Sequence, residues 1–86
     1  MNTSFSDEAL SQYIDWQKTD RKISDKINIL IIDIKRNGLM KGIGHPEKLK
    51  GRPEYSRHIT DEHRLVYKMD KNGSLVIVSC KGHYID

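Results

Sequence analysis

One apolar stripe between residues 20 and 38 constrains the fold of this chain more than any other feature. The stripe repeats at helical spacing and consists of Ile23, Ile27, Leu30, Ile31 and Ile34. Asp20 precedes it as a candidate N-cap, and Asn37-Gly38 follows it as a stop signal. The stripe therefore predicts an amphipathic helix whose apolar face must be covered by another layer of the same domain.

Further elements are predicted on both sides of this helix. Ser6 is the candidate N-cap of an earlier helix, and residues 2–5 are predicted to form a short strand with Phe5 pointing inward. In the glycine-rich connector after Gly38, Pro46-Glu47 is predicted to open one helical turn. Three strands are then predicted at Tyr55–Ile59, His63–Met69 and Leu75–Cys80, the last two joined by an Asn72-Gly73 turn. This order predicts an α+β fold, with two N-terminal helices packed on one face of an antiparallel β-sheet.

The length of 86 residues predicts a single domain covering residues 1–86. The longest aliphatic run, Ile29–Ile32, is far too short to span a membrane, and no membrane partner is expected. The first twenty residues contain four acidic residues and no apolar stretch, so no signal peptide is predicted. Cys80 is the only cysteine and has no internal disulfide partner, which favours a cytoplasmic location.

Charge is distributed unevenly along the chain. Residues 1–33 carry six acidic and four basic residues, whereas residues 34–86 carry six acidic and eleven basic residues. A basic C-terminal part favours a polyanionic partner, most simply a nucleic acid. The alternative is a solvated basic face on a small domain that binds a protein.

Several kinds of chemistry lack a sequence signal. The four histidines and one cysteine show neither CxxC nor HxxxH spacing, so no metal site and no cofactor are predicted. Cys80 lies in an apolar strand and is interpreted as a small buried thiol rather than a nucleophile. Gly42 and Gly44 lack the preceding strand and following long helix that a phosphate-binding loop needs.

General acid–base chemistry on RNA remains open, because one carboxylate, a few cations and one histidine are sufficient for it. Strand alternation places His58 on the face opposite Arg57, and Arg64 on the face opposite His63. Alternation alone leaves open which of these faces the helices cover. The candidate side chains are Glu47, Lys50, Arg57, His58, His63, Arg64 and His83.

Three strings of residues carry a resemblance to a known family. They are Gly42–Lys50, Tyr55–Tyr67 and Ser79–Tyr84, and Trp16–Asp20 and Lys26–Asn28 match the same pattern. Together they resemble the YoeB/Txe toxins, which belong to the RelE-like superfamily of bacterial toxin–antitoxin systems. The resemblance covers about residues 5–84, nearly the whole chain.

The resemblance implies a RelE-like microbial ribonuclease fold and an endoribonuclease that cuts mRNA at the codon in the ribosomal 30S A site. It implies a cognate YefM-like or Axe-like antitoxin, and homodimers are possible in such a family. By the same resemblance Glu47 is the expected general base, Lys50 a phosphate contact, and Arg64 a stabiliser of the transition state. His83 is the expected general acid, and Tyr84 is expected to stack on or position the substrate.

Three departures from the family pattern affect this set. His58 stands where the family usually has an active-site arginine, so a permanent cation is replaced by a titrating one. The segment after Lys50 is about two residues shorter than usual, and Arg52 is expected to supply charge from it. Ile85-Asp86 extends past the usual terminal tyrosine and brings carboxylates close to His83. Arg57 and His63 complete the predicted RNA-binding set.

Other functions remain as alternatives. A homologue with weak or no catalysis would bind the ribosome or the antitoxin without cleavage, and the His58 substitution motivates this interpretation. A ParE-like gyrase inhibitor is disfavoured because Glu47 and His83 are both retained. His45 is interpreted as an exposed loop histidine without a role.

Overall fold

The computed structural model describes residues 1–83. Its two helices are α1 (Asp7–Thr19) and α2 (Arg21–Asn37). Its five strands are β1 (Thr3–Phe5), β2 (Glu47–Lys48), β3 (Tyr55–His58), β4 (Arg64–Met69) and β5 (Leu75–Ser79). In this part of the chain no helix is both long and apolar enough to cross a membrane.

Each helix begins at the predicted cap. The side chains of Ser6 and Asp20 accept hydrogen bonds from the backbone N–H groups of Ala9 and Ile23, which satisfies donors that the first turn leaves without a partner. Helix α2 ends at Gly38, whose φ of 96° lies in the region that favours glycine. The predicted caps and stop signal are therefore confirmed.

The strands form one mixed sheet in the order β1-β5-β4-β3-β2. Strands β3, β4 and β5 pair antiparallel, as predicted, and β2 pairs antiparallel with β3, but β1 pairs with β5 in parallel. The prediction of a wholly antiparallel sheet is thus corrected at this edge. A second correction concerns Glu47, which lies in β2 rather than in a helical turn because β2 pairs with β3 through Glu47–Ser56 and Lys48–Tyr55.

The helices cover one face of this sheet. The shared core contains Ile27, Leu30 and Ile34 from α2, together with alternate residues of the strands, namely Arg57, Leu65, Tyr67, Leu75 and Ile77. The residues between them point to the opposite face, which no helix covers. Strand parity therefore settles which candidate residues are available to a ligand.

Candidate active site

The open face of the sheet carries two rows of side chains that cross β2, β3 and β4. His58 pairs with Arg64, and Glu47 pairs with Ser56. When the β2–β3 register is continued by two residues, His45 lies opposite His58, and their ring centroids are 5.3 Å apart. The two rows are about 7 Å apart because they are separated by two residues along each strand. The first row is His45, His58 and Arg64, and the second is Glu47, Ser56 and Val66.

The Arg64 side chain is fixed by the backbone at the start of its own strand. Its Nη1 donates to the carbonyl oxygens of Thr60 at 2.8 Å, Asp61 at 3.1 Å and His63 at 3.3 Å. Its Nη2 lies 3.1 Å from Nε2 of His83. A guanidinium group has only donors, so Nε2 of His83 accepts this bond and carries no proton in this arrangement.

His58 is half-buried beside these charges. Burial, followed by the positive charges of Arg64 and His45, lowers the pKa of His58 below its ordinary 6.5, while Glu47 and Asp61 act in the opposite direction. His58 is therefore less often cationic at neutral pH than a solvated histidine. The lowered pKa of His58 agrees with the expectation that this histidine carries a positive charge less often than the arginine usual at this position.

Glu47 and Lys50 are exposed at the outer edge of the sheet. The connection between β2 and β3 is held by Lys48, whose Nζ donates to the carbonyl oxygens of Leu49 and Arg52. Nε of Arg52 is 2.9 Å from Oε1 of Glu54, so Arg52 has an intramolecular ion pair at the position where it is expected to supply charge.

Arg57 lies on the covered face and is fully buried, and its predicted contact with RNA is corrected for this reason. Its Nε donates to the Tyr67 hydroxyl, and its Nη1 donates to Asp33 Oδ2 at 2.6 Å. Further donation goes to backbone carbonyls of the α2–β2 loop, those of Gly38, Lys41 and Ile43. Arg57 therefore holds the loop that leads to His45 and Glu47.

His63 also has a structural partner, because its Nδ1 accepts from the backbone N–H of Gly82 at 2.9 Å. Its ring packs edge-on against Trp16, with centroids 4.8 Å apart. Nδ1 must be unprotonated to accept this bond, so a neutral His63 helps to hold the segment that carries His83. Its predicted contact with RNA has no support from this arrangement.

Helix α1 anchors the same segment. Nε1 of Trp16 donates to the Cys80 carbonyl at 2.9 Å, and Gln12 Oε1 accepts from the Cys80 N–H at 2.7 Å. The Cys80 thiol is buried, as predicted, and burial raises its pKa to about 11. Tyr84, Ile85 and Asp86 lie outside the described residues, so the stacking role of Tyr84 and the effect of the extension stay predictions.

Two of the concavities on the described surface differ in size and lining. The larger, about 290 Å³, is lined by Ile29, Ile32, Asp33 and Arg36 on α2 and contains no group predicted to act on RNA. The smaller, about 80 Å³, is lined by Val66, Ser79, Lys81, Gly82 and His83. The smaller one shares Val66 and His83 with the candidate site, and its size suits a few atoms of a ligand. Within residues 1–83 no group of three or more His, Cys, Asp or Glu is arranged to hold a metal ion.

The structure thus brings together Glu47, His58, Arg64 and His83 on the open face or at its edge. It adds His45, which the sequence left as a loop residue, and it reassigns Arg57 and His63 to positioning roles. The position of His45 beside His58 follows from the register of β2, a strand of two residues. The Gly-His-Pro string alone does not predict that position.

The sequence of this chain matches a known protein family over nearly its whole length. Residues 5–84 match the model of the YoeB-like toxin of bacterial type II toxin-antitoxin systems. A toxin YoeB from Streptomyces coelicolor is 44% identical over 86 residues, which covers 98% of this chain and 100% of the relative. The toxin YoeB of Escherichia coli K12 matches with the same identity and coverage.

Solved structures give the same result. A YoeB dimer from Staphylococcus aureus has a TM-score of 0.91 at 48% identity, and the match covers 98% of each chain. The heterotetrameric YoeB-YefM toxin-antitoxin complex from Staphylococcus aureus matches with a TM-score of 0.88 at 49% identity, again over 98% of each chain. The predicted RelE-like α+β fold is confirmed, and the chain belongs to the YoeB-like family of toxins of bacterial type II toxin–antitoxin systems.

Proposed function

We propose that this toxin is a ribosome-dependent endoribonuclease that cuts mRNA in the A site by general acid–base catalysis. The observation that carries the proposal is the contact between Arg64 Nη2 and His83 Nε2 at 3.1 Å, on the same face as Glu47. A carboxylate, a fixed guanidinium and an imidazole are the three kinds of group that this reaction needs. Side chains alone supply them, and the proposal requires no metal or cofactor.

In this mechanism Glu47 takes the proton of a ribose 2′-hydroxyl, and the 2′-oxygen attacks the adjacent phosphorus. Arg64 and Lys50 stabilise the negative charge that develops on the phosphate oxygens. The bond from phosphorus to the 5′-oxygen breaks, and His83 donates a proton to that oxygen. The products are a 2′,3′-cyclic phosphate and a 5′-hydroxyl.

His83 must be protonated before it acts as an acid. In the free protein its Nε2 accepts from Arg64, so the two groups occupy each other. A phosphate that takes the Arg64 donor would release Nε2 and place negative charge beside it, which favours proton uptake. Substrate binding would thereby convert His83 into the form that the reaction requires.

The test is primer-extension mapping of a defined mRNA on programmed ribosomes. The wild-type protein should give cuts in phase with codons, and His83→Gln or Arg64→Ala should abolish them. The matched control is Lys68→Ala, since Lys68 lies on the same strand, two residue pairs beyond Arg64. Cleavage that survives Arg64→Ala would refute the assignment of roles.

A toxin that binds ribosomes without cutting is the second candidate, and the lowered pKa of His58 favours it. In that case wild-type protein would bind ribosomes and give no cuts, whereas His58→Arg would restore them. A ParE-like action on gyrase is the least supported alternative, and a supercoiling assay tests it.

We further propose that a YefM-like or Axe-like antitoxin neutralises this toxin. Support comes from the Staphylococcus aureus YoeB-YefM complexes, whose YoeB chains are 48–49% identical to this one. The Staphylococcus aureus YoeB dimer likewise supports self-association, which sedimentation of the purified toxin would test. Action on ribosomes requires a cytoplasmic location, in agreement with the expectation from the single cysteine.

A further inference from the structure

Two histidine rings lie side by side on the open face with their nitrogens available. The rings of His45 and His58 are 5.3 Å apart between centroids and inclined at 56°. No group within residues 1–83 hydrogen-bonds to a ring nitrogen of either residue. Ring nitrogens that lack an internal partner on an exposed face are free to bind a ligand.

The backbone holds this pair in place. His58 donates its backbone N–H to the Gly44 carbonyl at 2.7 Å, which fastens the loop to β3. His45 has a φ of 52°, in the left-handed region that only a few per cent of residues other than glycine adopt. A side chain at Gly44 would be crowded and strained, because the φ of this residue is 84° and a Cβ there would lie 2.9 Å from Cδ2 of Leu30 and 3.2 Å from the Cβ of Arg57. The loop is therefore tightly packed in a strained conformation that keeps His45 beside His58.

Both positively and negatively charged side chains surround His45 and His58, and they lie on the elements next to β3. Arg64 on β4 and His45 on the loop disfavour a proton on His58, whereas Glu47 on β2 and Asp61 in the β3–β4 turn favour one. A metal cation would meet the Arg64 guanidinium here and would lack a third ligand among the described residues. An anion would meet Arg64 and two imidazoles, all of which can donate.

We propose that His45 and His58 form a proton-coupled phosphate subsite, which binds the RNA phosphodiester next to the one held by Arg64 and His83. Each ring donates an N–H to the bound phosphate, whose negative charge favours the protonated form of an imidazole beside it. His45 is thus a substrate-binding residue. The inference rests on the proposed function, since it names a second phosphate of the same RNA.

Sulfate is the first probe, because it does not titrate in the range where histidine does. Histidine ring signals are followed by NMR between pH 5.5 and 8.5, with and without sulfate. Sulfate should raise the pKa of both rings, and its affinity should increase as the pH falls, by up to about tenfold per pH unit for each proton taken up. His63 serves as an internal control, since its ring is already engaged with Gly82 and Trp16.

The second probe is an RNA trinucleotide with 2′-deoxy substitutions, which can bind but cannot be cut. Wild-type affinity should weaken from pH 6 to pH 8, and His45→Gln should flatten that dependence. His45→Lys should restore affinity at pH 8, because a lysine stays charged there. Equal pH dependence in wild type and His45→Gln, or a sulfate effect without an effect on the trinucleotide, would overturn the proposal.

The two proposals can fail separately. Trinucleotide binding that depends on pH through His45, without cuts on ribosomes, would support the subsite and refute the nuclease. Codon-phased cuts together with pH-independent trinucleotide binding would support the nuclease and refute the subsite.

Discussion

Arg57 and His58 are consecutive residues of β3, yet they meet opposite surroundings. Arg57 points to the covered face, is fully buried and donates to five different acceptor groups. His58 points to the open face, is half-buried, and its ring has no hydrogen-bond partner within residues 1–83. The strand thus assigns one basic side chain to the structure and the next to a ligand.

The difference teaches that the two faces depend on each other. On the covered face, Arg57, Asp33 and Tyr67 hold the loop between α2 and β2 by hydrogen bonds. The Tyr67 hydroxyl, for example, donates to the Leu39 carbonyl at 2.6 Å. That loop then delivers His45 and Glu47 to the open face. A buried cation therefore acts on the candidate site only through the backbone it holds.

The largest expected effect is a difference in the free energy of unfolding when Arg57 and His58 are each replaced by a neutral residue. Arg57→Met should lower the free energy of unfolding by about 3–5 kcal/mol, because it leaves Asp33 and several carbonyls without their donor. His58→Gln should change it by no more than about 0.5 kcal/mol. Urea denaturation measures both. Arg57→Lys should fall between them, since it keeps the charge but not the guanidinium fork. Equal losses for the two neighbours would break the comparison.

A smaller effect is expected from crowding the loop that Arg57 holds. At Gly42, with φ of 117°, an added Cβ would lie 1.8 Å from Asp33 Oδ2. Gly42→Ala should therefore cost about 2–3 kcal/mol, as strain and overpacking combine. Gly51→Ala is the matched control, because its φ is also positive at 67° but nothing lies within 4 Å. Its cost should be near 1 kcal/mol, and thermal unfolding would compare the two.

Removing the link between α1 and the His83 segment should have a further, smaller effect. Trp16→Phe keeps most of the apolar ring but leaves the buried Cys80 carbonyl without the Nε1 donor. A loss of about 1–2 kcal/mol is expected in urea denaturation. If the nuclease proposal holds, cleavage should also slow. Tyr13→Phe is the control, since the Tyr13 hydroxyl donates to Asn28 at an exposed position.

The last prediction concerns how stability depends on acid pH. The hydrogen bond from Arg57 is the main cause that lowers the pKa of Asp33 below its ordinary 3.8. A lowered carboxyl pKa adds stability at neutral pH, and this stability is lost as the pH falls below that value toward the folded pKa. The melting temperatures of wild type and Asp33→Asn should therefore differ at pH 7, and the difference should shrink as the pH is lowered below 3.8. Asp25→Asn, at an exposed position of the same helix, should show no such convergence.

Local signals in the sequence predicted much of the fold. Ser6, Asp20 and Gly38 mark helix ends through contacts within a few residues, and the structure confirms all three. The parallel pairing of β1 with β5 was not predictable in this way, because it joins residues that are distant in sequence. The helical turn predicted at Pro46-Glu47 is wrong for the same reason. The pairing of Glu47 with Ser56 of β3 overrides the weak local preference for a helical turn.

The candidate site was predictable in residue type more than in position. Alternation separated Arg57 from His58, but only the tertiary structure decides which face the helices cover. The sequence therefore predicts Arg57 as an RNA contact, whereas the structure buries it fully. His45 was missed because its neighbour His58 is brought to it by the register of β2, which has only two residues.

The parallel pairing of β1 with β5 also bears on how this toxin is made. A nascent chain can form α1 and α2 early, from local contacts, but β1 has no partner until β5 has been synthesised. His83 follows β5 in the chain and contacts Arg64, and the neighbouring Gly82 donates to His63. These contacts can form only after β5 has been synthesised. The candidate site is therefore complete only after β5 and the segment that carries His83 have been synthesised.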